Sequence, residues 1–323
     1  MSRLMTGARP TGGLHIGQYF AAFRSFVESP LRPGSFFVVS DLHMLTTKFT
    51  VDSTRTLAFA RRRLVAEAIA FGVDPVNTTY YIQSQVEWQA RIYVILQSLA
   101  DMKKLNDIPS FEEMARHSQG VRSPTLGLLG YPILESSDVL SIGATHVTIG
   151  ENNRPHFVLL SQILDELRLS WNVNFEVPTP IIAQGNLIGI DGREKMSKSI
   201  GNAIFLSDTP DDVAAKVGRM VVKGDGEINV PAAYLAVLGK PADECKAIED
   251  RLSAADTIPS DVQDELVARL VALTNPVRLE AERLVAEQGY IDRILAAGRQ
   301  RADELGRSNY ERLARAVRII ERE

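Results

Sequence analysis

Through the first part of the chain, short apolar runs alternate with longer stretches in which apolar residues recur every three or four positions. That pattern predicts an open parallel sheet with helices on its faces. Leu4 and Met5 begin a first strand, a glycine-rich turn runs from Gly7 to Gly13, and a helix is predicted from His15 to Val27. Phe36 to Ser40 reads as the next strand and Ser53 to Phe71 as its crossover helix, with Ser53 as an acceptable N-cap. Tyr80 to Gln83 is a third strand. The run Arg91 to Leu105 reads as helix, and Asp107-Ile108-Pro109-Ser110 interrupts it before Phe111 to Arg116. A helix from Pro132 to Ile142, a strand from His146 to Ile149 and a helix from Pro155 to Leu169 continue the alternation.

From Thr209 the pattern changes. Strand signals vanish and amphipathic helices run almost to the end, with breaks expected near Gly239-Lys240-Pro241, Pro259 and Pro276. The expected division is therefore an α/β unit over residues 1–208 and an all-helical unit over 209–323. No internal repeat or low-complexity tract interrupts either. The stretch Gln119 to Gly127, with Gly, Ser and Pro, reads as a connector or a mobile loop.

Composition narrows the class of molecule. A chain of 323 residues exceeds what one hydrophobic core usually supports, and 45% apolar with 24% charged residues is ordinary for a globular protein. No apolar run reaches signal-peptide or bilayer-spanning length, so a cytoplasmic protein is expected, with neither membrane nor DNA as partner. Cys245, the single cysteine, has no internal disulfide partner and fits a structural place in a helix. A net charge of -4 argues against holding nucleic acid through a global positive field, so any RNA site must be local. Arg61-Arg62-Arg63, Lys103-Lys104 and the series Arg299, Arg301, Arg307, Arg312, Arg315 and Arg318 are the candidates, each also readable as a solvated helix face.

Two segments carry chemistry. Thr6 to Gln18, with Arg9-Pro10-Thr11-Gly12-Gly13 and His15-Ile16-Gly17-Gln18, sits between a strand and a helix, where backbone N–H groups and the helix dipole favour phosphate. Gly17, one turn inside the helix, costs roughly 1 kcal/mol relative to alanine, which suggests that something packs on that face, a purine ring being one candidate. The second segment is Lys195-Met196-Ser197-Lys198-Ser199, on a polar loop beyond the last strand. Its two ammonium groups suit the charge that accumulates as pyrophosphate leaves. A specified run of five residues arises by chance in roughly one sequence in ten thousand, so this signal is far more specific than a glycine turn.

Carrying both segments, the chain resembles the class I aminoacyl-tRNA synthetases, and among them the tryptophanyl-tRNA synthetases over nearly its whole length. Asp41-Leu42-His43, the helix that begins at Tyr131-Pro132, Gly150-Glu151 and the helical tail fit the same pattern. The resemblance implies a Rossmann-like catalytic unit, ATP with phosphate-bound Mg2+ as cofactors, no protein-held metal, and L-tryptophan and tRNA(Trp) as substrates. It also implies a homodimer. Residue by residue it places Arg9, Pro10, Thr11, Gly17 and Gln18 on ATP, with Gly150, Glu151 and Asn152 near the ribose and Leu187 near the adenine. Lys195, Met196, Ser197, Lys198 and Ser199 would clasp the phosphates, with His15, Lys195 and Lys198 as the catalytic groups. Asp138 would accept the indole N–H, while Tyr131, His43, Glu135, Asn153 and Met5 would border the amino acid, with Val139 and Ile149 as further walls.

Two departures from the family pattern matter. The family usually reads Gly-Glu-Asp-Gln where this chain has Gly150-Glu151-Asn152-Asn153, and Glu135 stands where methionine or glutamine is common. Glu135 shares a helical face with Asp138 and could pair with the substrate ammonium, compensate for the lost aspartate, accompany a modified substrate or inhibitor tolerance, or face solvent. Two other readings therefore stand beside the main one. One is a paralogue for a tryptophan analogue or tyrosine, and the other a non-catalytic RNA-binding relative, against which the lysine loop speaks.

Overall fold

The computed structural model describes residues 2–31, 33–109, 125–182, 187–193, 196–198 and 200–321. Five parallel strands, β1 (Leu4–Ala8), β2 (Ser35–Val39), β3 (Thr78–Ile82), β4 (His146–Ile149) and β5 (Thr179–Ile182), lie in the order β3-β2-β1-β4-β5. The central strand β1 therefore has β2 on one side and β4 on the other, so the sheet is built outward through β2 and β3 in one direction and through β4 and β5 in the other, and the direction of winding reverses between β1 and β4. In an open α/β sheet the strand ends at such a reversal leave a crevice for a ligand.

Alternation along each strand divides the core into two layers. Leu4, Phe37, Val39, Tyr80 and Ile82 pack toward the helix Leu57–Ala70 and the helices of the C-terminal region. Met5, Phe36, Val38, Tyr81, Val147 and Ile149 pack toward the helices Glu87–Gln97, Leu126–Ile142 and Arg154–Trp171. All five residues of β2 are buried, which is why Ser-Phe-Phe-Val-Val reads as an unbroken apolar run rather than an alternating one.

Several expected boundaries move. The first helix covers residues 16–27 with its middle, Tyr19–Phe23, in π geometry. The crossover helix is split into Val51–Arg55 and Leu57–Ala70, and the later helical run divides before Met102–Asn106 rather than at Asp107. The helix expected from Pro132 starts at Leu126, because Thr125 accepts from the Leu128 N–H as its N-cap and Pro132 is carried within the helix. Pro276, expected to break a helix, likewise lies inside Ser260–Ala286. Strand β5 has no counterpart in the sequence reading. Phe111 to Arg116 and most of Gln119 to Gly127 lie outside the described residues.

From Pro210 onward the described elements are helical, apart from one isolated β-bridge, and they share a core with the sheet. Cys245 is buried in the helix Ala242–Leu252. The last long helix, Tyr290–Ala316, lies against β3, an edge strand whose flank would otherwise be open. Gly298 allows that approach: a Cβ built there would fall 1.7 Å from the Tyr80 carbonyl oxygen. Trp88 donates its indole N–H to Asp303 at 2.9 Å and stacks on Tyr310, with the Arg91 guanidinium over both rings.

Candidate active site

A cavity of about 540 Å³ opens at the C-terminal ends of β1 and β4, where the sheet order reverses. Gly7 and Ala8 at the end of β1 and Ile149 and Gly150 at the end of β4 form its floor. Its lining joins the turn Arg9, Thr11, His15, Gly17 and Gln18 to Leu187, Met196, Ser197 and Lys198, and continues to Met5, His43, Tyr131, Glu135, Asp138, Val139 and Asn153. Residues assigned from sequence to two ligands thus border one continuous space. Pro10 is buried within the turn, and Glu151 is exposed, with both carboxylate oxygens on Arg154 at 2.7 and 3.1 Å. Lys195, Ser199 and the side chain of Asn152 lie outside what is described.

At one end the chemistry is cationic. His15 caps the first helix: its Nδ1 accepts the Gln18 N–H at 3.2 Å while the Gln18 side chain accepts the His15 N–H at 3.3 Å. With Nδ1 an acceptor, the ring proton belongs on Nε2, making that atom a donor. Gly17 meets Met196, whose Sδ would be 3.2 Å from a Cβ at Gly17. The packing partner sought for this glycine is therefore, in part, the protein's own second signature segment. Lys198 donates to the Gly12 carbonyl at 3.2 Å, and burial beside Arg9 and Lys48 pushes its ammonium down to about 8, against the pull of Glu67.

Beneath the turn lies a residue that the sequence reading missed. Glu67, 2% exposed, accepts the Leu14 N–H at 2.6 Å and the Arg63 guanidinium at 2.9 Å. An acid inside Leu64-Val65-Ala66-Glu67-Ala68 was the available signal, since a carboxylate among buried apolar neighbours needs donors. Arg61 pairs with buried Asp41, which also accepts from Ser84, and Arg62 pairs with Asp292. The triple arginine run is thus engaged in structure.

The opposite end is acidic and enclosed. Asp138, 3% exposed, accepts Gln83 Nε2 on both oxygens at 2.8 Å and meets His43 Nε2 at 3.2 Å. The Gln83 carbonyl in turn accepts the N–H groups of Leu42 and His43. Burial raises the Asp138 carboxyl above its ordinary value, with the neighbouring Glu135 charge acting in the same direction against the His43 and Gln83 hydrogen bonds.

Glu135 does not face open solvent. Its Oε2 lies 2.7 Å from His156 Nδ1, and His156 Nε2 lies 2.9 Å from the Tyr131 hydroxyl. Asn153 donates to Glu135 Oε1 at 3.4 Å. Burial works to raise the Glu135 carboxyl, yet His156, with help from His43 and Asn153, holds it below the ordinary range. His156, Gln83, Thr46, Thr47 and Lys48 belong to the site or its support and were not anticipated, because nothing in their local sequence distinguishes them from ordinary polar positions.

Residues 1–277 match the family model of tRNA synthetases class I (W and Y). The chain is 31% identical to the tryptophan–tRNA ligase of Treponema pallidum, covering 100% of this chain and 98% of that protein. It is 30% identical to the tryptophan–tRNA ligase of Porphyromonas gingivalis, over 94% of this chain and 95% of that protein. Among solved structures, the tryptophanyl-tRNA synthetase of Campylobacter jejuni complexed with ADP and tryptophan matches with a TM-score of 0.80 at 22% identity, covering 98% of this chain and 99% of that one. The tyrosyl-tRNA synthetase of Archaeoglobus fulgidus complexed with L-tyrosine matches with a TM-score of 0.65 at 18% identity, over 87% of this chain and 90% of that one.

Proposed function

The chain belongs to the class I tRNA synthetases of the tryptophan and tyrosine group, and from that premise we propose how its cavity works. The protein activates L-tryptophan with ATP to tryptophanyl-adenylate and transfers the acyl group to tRNA(Trp). The observation that carries this reading is that a single cavity spans the cationic turn at Arg9 and Lys198 and the enclosed Asp138 carboxylate. A triphosphate suits one end and a side chain with one N–H donor suits the other.

ATP lies with its phosphates at Arg9, Thr11, His15, Ser197 and Lys198, joined by Lys195 and Ser199, with Pro10 shaping the turn. Its adenosine lies along Gly17, Gln18, Gly150, Glu151, Asn152, Leu187 and Met196. Tryptophan places its indole N–H on Asp138 between Met5, His43 and Val139, with its amino-acid end toward Tyr131, Glu135 and Asn153. The tryptophan carboxylate oxygen attacks the α-phosphorus in line. The bond to the bridging oxygen breaks and pyrophosphate leaves with the electron pair. Lys198 and the His15 Nε2–H stabilise the charge on the departing oxygens, and no protein nucleophile takes part. The described cavity residues given to the phosphates, with Lys48 near Lys198, carry no carboxylate. That donor set suits Mg2+ carried on the ATP oxygens rather than in a protein cage, and the ion would offset phosphate charge there.

The helices of 209–323 read the anticodon, a reading supported by exposed Arg299 and Arg301 on the helix Tyr290–Ala316. A homodimer is supported by exposed Val94, Met102, Leu126 and Val158, which belong to helices packed around Leu126–Ile142. No described helix is long and apolar enough to cross a membrane.

Pyrophosphate exchange across the twenty amino acids and substituted tryptophans, followed by charging of tRNA(Trp), tests the whole assignment. Exchange with tryptophan alone is expected. Exchange with tyrosine or only with an analogue would move the protein to a paralogous role, and tRNA binding without any exchange would make it a non-catalytic relative.

A further inference from the structure

We infer that the Glu135 carboxylate is the receptor for the substrate's α-ammonium, an assignment that rests on the tryptophan reading above. Glu135 lines the cavity, three residues before Asp138 on the helix Leu126–Ile142. Three residues of helix rise separate their backbones by about 4.5 Å on one face, so the helix presents two acceptors in a row. A zwitterionic amino acid with an indole ring carries two N–H-bearing ends that need acceptors, and its own carboxylate must face the other way.

The two oxygens of Glu135 are in different situations. Oε2 is held by His156 Nδ1 at 2.7 Å, which fixes the carboxylate plane. Oε1 receives Asn153 Nδ2 at 3.4 Å, the long limit of a hydrogen bond, and so has capacity for a stronger donor. Because an ionised carboxylate only accepts, His156 carries its proton on Nδ1, and in the neutral ring Nε2 then accepts from the Tyr131 hydroxyl at 2.9 Å.

Charge fixes the direction of binding. The inner end holds Glu135 and Asp138, whereas Arg9, Lys48 and Lys198 stand at the phosphate end. An amino acid entering between them lowers its energy by pointing ammonium inward and carboxylate toward the phosphates, the orientation that attack on the α-phosphorus requires. Asn153 is a neutral amide and cannot balance an ammonium charge, so the formal charge at this subsite comes from Glu135.

The test is calorimetric titration of the full-length protein and its Glu135→Gln variant, which keeps an acceptor for His156 and removes the charge. Three ligands are used: L-tryptophan, tryptamine, which has the ammonium without the carboxylate, and indole-3-propionate, which has the reverse. Tryptophan and tryptamine should bind about 10- to 100-fold more weakly to the variant, the range of a hydrogen bond to a charged group. Indole-3-propionate, and ATP titrated as a control, should bind as before, and the variant should remain folded by circular dichroism, with a melting temperature lowered at neutral pH by loss of the carboxylate that His156 holds ionised. Equal weakening for all three indole ligands, or no change for any, overturns the Glu135 assignment alone. A parent protein that binds tyrosine and no indole ligand overturns the tryptophan reading and this inference with it.

Discussion

The Lys198 ammonium donates to the carbonyl of Gly12 at 3.2 Å, joining residues 186 positions apart beside the cavity. The lysine loop is thereby latched onto the glycine turn, with Met196 seated against Gly17 as a second contact. In the proposed binding mode ATP exchanges the lysine–carbonyl bond for lysine–phosphate bonds, which would make Lys198 a reporter of the nucleotide.

Its depressed ammonium gives the first prediction. With its ammonium pushed down to about 8 by burial, Lys198 should gain a proton when, in the proposed binding mode, phosphates come against it near that pH. ATP binding at that pH should take up protons, measured as a dependence of calorimetric heat on buffer ionisation enthalpy. The ATP dissociation constant should be flat below about pH 7 and rise above about pH 8, by up to about tenfold per unit. Lys198→Met should abolish the proton uptake and lower kcat/KM for adenylate formation by roughly 100- to 1,000-fold. Uptake that survives the substitution would assign the titration to another group.

Asp138→Asn should trade function for stability. A carboxyl raised by burial stabilises the fold only while it is protonated, and this contribution is lost as pH rises through the folded-state value. At pH 8 the variant should therefore melt higher than the parent, a difference that narrows as pH falls. Adenylate formation with tryptophan should drop about 10- to 100-fold in kcat/KM, the effect of weakening an acceptor for a buried N–H. Unchanged kinetics would remove Asp138 from substrate recognition.

Removing the Glu67 side chain should loosen the glycine turn from below. Glu67→Ala strips the acceptor from the buried Leu14 N–H, bonded at 2.6 Å, at a cost of about 1 to 3 kcal/mol in urea unfolding. The KM for ATP should rise while that for tryptophan changes little. A selective rise for tryptophan would show that Glu67 supports a different part of the site.

Gly298→Ala tests how the last helix is seated. Its Cβ would lie 1.7 Å from the Tyr80 carbonyl oxygen, so the helix must shift off the β3 edge. The expected loss is about 1 to 3 kcal/mol of stability or more, read as a lowered thermal midpoint, with faster amide exchange in Thr78–Ile82. A thermal midpoint equal to the parent's would mean that the edge tolerates the extra carbon.

What the sequence determined by itself was whatever depends on near neighbours. Apolar runs at β1 and β2, helical periodicity around Leu57–Ala70 and two short signature segments are local patterns, and local sterics and backbone hydrogen bonding turn them into elements. Tertiary structure decided the pairings. Asp138 acquires Gln83 and His43, Glu135 acquires His156, and Leu14 acquires Glu67, because parallel strands bring their C-terminal ends together from distant parts of the chain. A polar side chain of ordinary appearance becomes a partner only where burial removes water as the alternative, and which side chains are buried together is set by the sheet order and by the last helix closing on β3.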